Sequence, residues 1–591
     1  MKEIIIDGNR YDVDNNTDVT LDYKSPFFSD ISKLKPNRSY TIKLPFTAIN
    51  RKNIENSYLI DVVSLFPYQK KSCEYWENGL PIIQRGNAYL LACTSSIEVA
   101  ATWGNGTAIV NIGDKKMTEI TGISEEYIEW DDSIEIGITE KGNIHYSKID
   151  FGMGLDKRYT RPVVSVKYLF DKIFENAGLD YSINTEAKNL LDKLWIPLLS
   201  NNANELNKES ATSEISFYYN NLVSNQPTLT LSEKEYVYYR LIKDIPGAPA
   251  FYNKVECLSD GMVDLRMYFK INDKIKICIN NDDTFYTPNY SEVNIGGQTY
   301  FFYNTTLSFE VKESDEIYIK RDMIVSNWAI TQDSEGGFHL SMIPSDALYG
   351  SVIPLIINLP DIKQIDFLKS IMQMMCLFAH PDTDNPNLIN LYSIDTLYNN
   401  KVNARDWTNK LLSRVPEEQK FTFGSYSKQN WMRYKEDDTV SINADDYLTV
   451  DNEYLETSQD LFTLSFSATD EKNGMAFISL YEQEEDKINE NSSISPRILV
   501  DNYVTGEGWK ASFLPYLSFS GESGLRNSYY TKYQEIIRQP RVISVKCALS
   551  DYDLYTLDLT IPVYFRQYGA YFAIINLKTG DKASTVQLLK L

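Results

Sequence analysis

Histidine is scarce in this chain: only His145, His339 and His380 occur. No two of them stand four residues apart, which excludes the H-E-x-x-H zinc arrangement. A serine triad needs a histidine base beside an exposed nucleophile, and the sequence has no G-x-S-x-G elbow. Ser520-Gly521-Glu522-Ser523-Gly524 has the wrong spacing, and His339 merely follows Gly336-Gly337-Phe338. Each histidine therefore reads as a hydrogen-bonded structural residue. Cysteine is sparse as well. Cys73, Cys93, Cys257, Cys278, Cys376 and Cys547 form no C-x-x-C pair, so zinc and redox signatures are missing. Cys376, inside Met374-Met375-Cys376-Leu377-Phe378, reads as a small core hydrophobe. Structural disulfides are not expected in a cytoplasmic product.

Long apolar runs are missing too. No stretch approaches the ~18 residues of a membrane span. Met1-Lys2-Glu3-Ile4-Ile5-Ile6 is too short and too acidic for a signal peptide. A soluble chain made in the cytoplasm, with no membrane insertion of its own, is the expectation. There is no P-loop, and Phe151-Gly152-Met153-Gly154 lacks the third glycine of a dinucleotide fingerprint. Heptads, solenoid repeats and collagen patterns are likewise missing. Positive charge is in deficit: 58 basic residues face 81 acidic ones, a net charge of −23. Nucleic-acid binding rests on Lys and Arg neutralising phosphates, so the chain repels DNA overall. The small basic group Lys33, Lys35, Arg38 and Lys43 reads as a solvated face.

The acids are abundant but select no site. Asp382-x-Asp384 suggests a calcium loop, yet Pro386 and Ser393 occupy the places where the EF-hand pattern wants donors. A turn explains the segment better. Asp131-Asp132, Asp282-Asp283, Asp437-Asp438 and Asp445-Asp446 are doublets, any of which would supply half of a glycosidase pair. No catalytic, cofactor-binding or metal-ligating residue is assigned, and no enzymatic activity, cofactor or metal is expected.

Aromatic residues are plentiful: 42 Tyr, 26 Phe and 8 Trp. Tyr favours strands and half-wet interfaces, because its ring is apolar and its tip hydrogen-bonds. At roughly 150 residues per domain, 591 residues suggest several domains. Residues 3–13 read as a hairpin around Asp7-Gly8. Tyr40, Ile42 and Leu44 alternate with polar residues up to Pro45, as in a half-buried strand. Ile109–Ile112 and Ser133–Ile138 look like further strands.

A helix is predicted over 165–177. Val166, Leu169, Phe170, Ile173, Phe174 and Ala177 share one face, Ser165 is placed to cap it and Gly178 to stop it. A shorter helix is predicted from about Glu186 to Leu194, and an Asn- and Ser-rich loop over 200–230. A second long helix, 361–378, opens at Pro360-Asp361 with Gln364 as a capping box. Its apolar face is broad enough for a helix between two layers. A turn at 381–386 and a strand Leu388–Tyr392 follow. Strands resume after about 416, with Phe462, Leu464, Phe466 and Ala468 alternating. The apolar end Thr585–Leu591 should be paired, because a free terminus frays. The fold class read here is mainly β with a few packed helices, a multidomain α+β chain. It divides into an N-terminal β domain (1–160), an α+β domain (161–415) with a β-rich insertion at about 200–350, and a C-terminal β domain (416–591).

Several segments in order resemble tail or baseplate hub-like structural proteins of Bacteroidetes bacteriophages, crAss-like phages included. They are Phe28-Ser29-Asp30-Ile31-Ser32-Lys33, Ser39–Thr47 with Asn50, Tyr168–Gly178, Asp366–Lys369 leading to Met374–Phe378, Asp406-Trp407-Thr408, Gln429–Lys435, the 460–468 strand, Gly569-Ala570-Tyr571-Phe572 and Leu588–Leu591. The resemblance implies β-barrel and β-sandwich domains and a virion structural protein of the tail, synthesised in the host cytoplasm. It implies a homo-oligomer, a trimer or higher ring about the tail axis, joined to other phage tail proteins. DNA would be passing cargo only, and the acidity would make a channel wall that phosphates do not stick to. A receptor- or glycan-binding tail adhesin is the alternative expectation, and a cell-wall or polysaccharide hydrolase a third.

Overall fold

The computed structural model describes all residues except 15, 28–36, 105–111, 124–126, 131–133, 139–141, 201–212, 224–225, 232–238, 243–253, 259–260, 272, 313, 322–329, 332–336, 345–350, 383–384, 386, 485–486 and 581. Strands make up 42% of the chain and helices 17%, in many sheets, so the architecture is mainly β and multidomain as read. The barrel implied by the resemblance does not form: no sheet closes on itself among the described residues.

The largest sheet draws on both ends of the chain. Strand β1 (Lys2–Ile6) turns back into β2 (Asn9–Tyr11) with Ile6 opposite Asn9. Asp7 and Gly8 both take positive φ, 53° and 74°, the two-residue turn that Asp-Gly favours. Then come β3 (Leu21–Lys24), β4 (Asn37–Ser39), β5 (Ile42–Pro45), helix α1 (Ala48–Asn53), β6 (Lys71–Glu77), β7 (Leu80–Cys93) and β8 (Ser96–Trp103). The order β2-β1-β6-β7-β8-β4-β3 continues into the C-terminal strands Ala570–Lys578, Ser584–Lys590 and Val542–Cys547, and ends at Glu418–Lys420. Asp22 opposite Lys578 makes the join. Segments from both sides of residues 160 and 415 thus share one sheet and one core, with Ile4, Leu44, Tyr75, Val563 and Leu588 among its members. Ile42 and Leu44 are buried as their alternation predicts, whereas Tyr40 is exposed just before β5. The C-terminal strand lies between two neighbours and buries Val586, Leu588 and Leu589, so the apolar chain end is paired.

A second core holds the helices. Helix Val166–Asn176 starts where predicted: Ser165 Oγ accepts from Tyr168 N, and Gly178 follows with φ 68°. Its buried Val166, Leu169, Phe170, Ile173 and Phe174 are the expected face. The next helix, Thr185–Leu191, is capped by Asn184, and Leu194 already belongs to the strand Leu194–Pro197. The second long helix is shorter than read, Gln364–Met374. Its predicted capping box is replaced by pairing to another segment. Gln364 N donates to Lys115 O and Gln364 Nε2 to Lys116 O, so residues before 364 are held extended. At the other end Cys376 takes φ 50° and Leu377–Pro381 becomes a strand paired with Leu388–Ser393. The apolar run Met374–Phe378 fits a buried helix or a buried strand equally well, and only a partner strand decides. Cys376 is buried as read. The helix is buried over most of its surface, Ser370 included, which accepts from Ser465 N; Asp366, Lys369 and Gln373 form a half-buried stripe along one face.

Two further sheets lie within residues 213–344 and share a core of Val263, Leu265, Ile277, Tyr303 and Ile317. The loop predicted over 200–230 is corrected from Ser213 on, residues 201–212 lying outside the described residues. Ser213–Val223 and Gln226–Leu231 pair as a hairpin, because sheet partners override the turn propensity of Asn and Ser. The strand predicted at 133–138 is also corrected. Residues 136–138 form a turn, with Gly137 at φ 77° and its N–H bonded to Tyr146 O. Residues 109–111 lie outside the described residues.

Candidate assembly surface

The chemistry-bearing residues go first to structural work. His145 is buried on Ile144–His145, with Nε2 2.5 Å from Asp501 Oδ2, and Ser147 Oγ donates to Asp501 Oδ1 at 2.9 Å. Ser, His and Asp therefore meet, but both donors converge on the carboxylate in a site closed to solvent. A catalytic triad instead runs from serine to histidine to acid with the serine open to substrate. Sequence reading missed Asp501, which lies 356 residues away and carries no local signal. His380 is buried, with Nδ1 3.1 Å from Pro381 O, and burial lowers its pKa. His339 lies on the strand Gly337–Pro344 opposite Ser216 and Arg266. Burial pushes the thiols of Cys73, Cys257 and Cys547 up to about 12, so they are not thiolates at neutral pH.

Three acids of the doublets are held in ion pairs. Asp437 bonds Arg497 at 2.9 Å, both buried. Asp445 pairs with Arg433 and Asp446 with Arg526. Asp131-Asp132 and the side chains of Asp282-Asp283 lie outside the described residues. Asp382 accepts from Asn385 N and Asn390 Nδ2, the hydrogen bonds of a turn; Asp384 lies outside the described residues. The glycines of Phe151-Gly152-Met153-Gly154 donate their N–H groups to Asp150 Oδ1. Of the basic group, Arg38 pairs with Asp22 and Lys43 with Glu98, while Lys33 and Lys35 lie outside the described residues. Among the described residues no group of three or more His, Cys, Asp or Glu is placed to hold a metal ion.

What remains unspent is apolar surface. The connection from α1 to β6 exposes Ile60 and Val63 almost completely, at 106% and 99%, with Leu65 and Tyr68 also mostly in solvent. This is an ordered knob, not a loose loop. Helix α1 is capped by Thr47, whose Oγ1 donates to Asp12 Oδ2 at 2.6 Å. The fully buried Asn50 accepts from Asp12 N and donates to Asp12 O and Pro45 O. The chain then reverses through Glu55 and Asn56, both left-handed at φ 57° and 52°. Two consecutive non-glycine residues there cost of order 1–3 kcal/mol each. Ile54 and Phe66 bury themselves at the two feet, Tyr58 packs edge-on to Phe46 at 4.9 Å, and Ser64 Oγ ties to Glu55 at 2.7 Å. The tip hydrogen-bonds to itself, Leu59 N to Asn56 O and Val62 N to Leu59 O. The sequence signal was there, Leu59-Ile60-Asp61-Val62-Val63, but an apolar run in a sequence reads as core until a structure shows it outside.

No protein-family model matches the chain, and no curated protein matches it. Among solved structures, the 43 kDa tail protein of prophage MuSo2 from Shewanella oneidensis is similar over 100% of this chain and 98% of its own, with a TM-score of 0.32 and 6% identity. Two structures of murine APRIL are similar over 22% of this chain and 98% of theirs, with TM-scores of 0.16 and 0.17 and identities of 12% and 10%. At these TM-scores the likenesses settle neither fold nor function.

Proposed function

We propose that the chain is a non-enzymatic structural protein of a bacteriophage tail that assembles with copies of itself and with neighbouring tail proteins. The observation that carries this reading is the apolar knob at residues 54–70, held through two left-handed residues with Ile60, Val63, Leu65 and Tyr68 in solvent. Exposed apolar side chains gathered on one segment mark a surface for another molecule to cover. The abundance of Tyr points the same way, since interfaces favour aromatic residues. The segmental resemblance to hub-like tail proteins of crAss-like phages supplies the context of a ring about the tail axis. In such a ring the net charge of −23 is multiplied, and an acidic channel wall would let DNA pass without sticking.

The test is mass spectrometry and electron microscopy of virions of the phage that encodes the chain. A fixed copy number and a position on the tail axis are expected. A chain missing from virions, or one whose axial wall is basic, refutes the respective part of the proposal. Hydrolysis of a cell-envelope polymer that one Asp or Glu substitution abolishes would overturn the non-enzymatic reading. Specific binding on a glycan array would favour an adhesin.

A further inference from the structure

The knob carries a charge unlike that of the whole molecule. Residues 48–71 hold four cations, Arg51, Lys52, Lys70 and Lys71, against two acids, Glu55 and Asp61, on a chain of net −23; Lys71 is paired with Asp7 at 3.2 Å, which leaves Arg51, Lys52 and Lys70 to the rim. A basic rim around an apolar tip fits an acidic, apolar surface. The molecule offers one of its own. Residues 549–558 contain Asp551, Asp553 and Asp558 and no Lys or Arg; Lys410 neutralises Asp553, which leaves Asp551 and Asp558 as the acids of this surface. Their helix, Asp551–Tyr555, turns Tyr552 and Tyr555 to solvent. It is fixed in place by the capping box of Ser550 with Asp553, by Lys410 on Asp553 at 2.6 Å and by Asn78 Nδ2 on Asp551 at 2.7 Å.

The two surfaces stand at opposite ends of the β6–β7 hairpin. The knob runs directly into Lys71, opposite Ala88, while the tyrosine helix bonds Asn78 in the turn that follows Glu77 opposite Leu80. Seven residues of strand separate them, about 23 Å at roughly 3.3 Å per residue. A rigid hairpin holds them apart, so one molecule does not satisfy both from within. We infer that the knob of one copy docks on the Asp551–Tyr555 helix of a second copy, head to tail. This inference rests on the self-assembly reading above and names its contact. Such a heterologous contact repeats, and it closes into a ring where its rotation permits. The acidic copies would otherwise repel one another, and the basic rim against the Asp-rich helix reverses the sign locally.

The experiment uses the purified full chain in light scattering and mass photometry at micromolar concentration. The parent should oligomerise, and the oligomer should weaken with salt. The Ile60→Asp, Val63→Asp double variant and the Tyr552→Ala, Tyr555→Ala double variant should each associate at least roughly 100-fold more weakly, because two apolar contacts are lost in each. Both alter exposed residues, so their circular dichroism and melting should match the parent. Mixing the two variants is decisive. Each keeps one intact face, so the mixture should give one-to-one pairs and stop there. A monomeric parent, or a tyrosine variant that still forms full-size oligomers, overturns the contact. So does flotation of the parent with anionic vesicles that the aspartate variant loses, which would assign the knob to lipid. A chain that is monomeric yet present in virions refutes only this contact. A chain that pairs head to tail but is missing from virions refutes only the tail reading.

Discussion

Replacing Asp501 with Ala removes a carboxylate that two donors share in a site closed to solvent. The side chains of His145 and Asp501 are 1% and 0% exposed, and Ser147 is fully buried. The substitution leaves His145 Nε2 and Ser147 Oγ facing the gap without the acceptor they had. An orphaned buried donor costs roughly 1–3 kcal/mol, and Asp501→Ala leaves two of them, on His145 and on Ser147. We expect Asp501→Ala to lose about 2–6 kcal/mol from the unit that contains strands Ile144–His145 and Leu499–Val504. The readout is built in. Trp195 stands edge-on to His145 at 4.3 Å and Trp509 lies 5.8 Å from it, so urea titration followed by tryptophan fluorescence reports this region. In a multidomain chain a local probe is needed, because a single global transition is not guaranteed. Replacing His145 and Asp501 together with Leu removes both partners and should cost less than the sum of the single changes, by about 1 kcal/mol or more. Strict additivity, or a loss under about 1 kcal/mol for Asp501→Ala, would refute the reasoning.

Phe174→Ala and Leu368→Ala empty fully buried sites and should each cost about 2–5 kcal/mol in thermal or denaturant unfolding; parent-like stability would contradict their burial. Asn50→Ala removes the amide that holds α1 to Asp12 and Pro45, and should speed hydrogen exchange across residues 54–70 while leaving the helix Val166–Asn176 protected. Burial tends to raise the Asp437 carboxyl, but hydrogen bonds from Arg497, Thr439 and Ser495 outweigh it and hold the pKa well below the usual range. A folded pKa below the unfolded one means stability that is full above the unfolded value, near 3.9, and lost as pH falls through the folded value. The acid-induced drop in unfolding midpoint below about pH 4 should therefore be smaller in Asp437→Asn, and an unchanged pH profile would show that the pair contributes nothing.

Local patterns were legible where the physics is local. The Asp7-Gly8 turn, the Ser165 cap and the Gly178 stop each depend on a few consecutive residues, and each stands where the sequence places it. The alternation of Ile42 and Leu44 follows from period-two spacing, and the pairing of the C-terminal strand from the apolar character of its end. The errors arise where distant chain decides. The helix over 361–378 loses its first turn because Lys115 and Lys116 claim Gln364, 248 residues away in the latter case. It loses its last turn because Leu377–Pro381 finds a strand partner.

Composition and the lack of nucleophile and metal motifs determined the mainly β class and left no site residue to name. Tertiary structure alone decided which charges meet and which apolar residues stay outside. The pairing of His145 with Asp501 and of Asp437 with Arg497 comes from sheet and loop packing, not from spacing. Leu59–Leu65 and Phe462–Ala468 are comparably apolar as strings, yet Phe466 is buried and Ile60 is fully exposed. Hydrophobicity says only that a residue gains by leaving water. Whether a neighbour is there to receive it depends on where the buried feet, Ile54 and Phe66, and the left-handed turn at Glu55 and Asn56 send the chain.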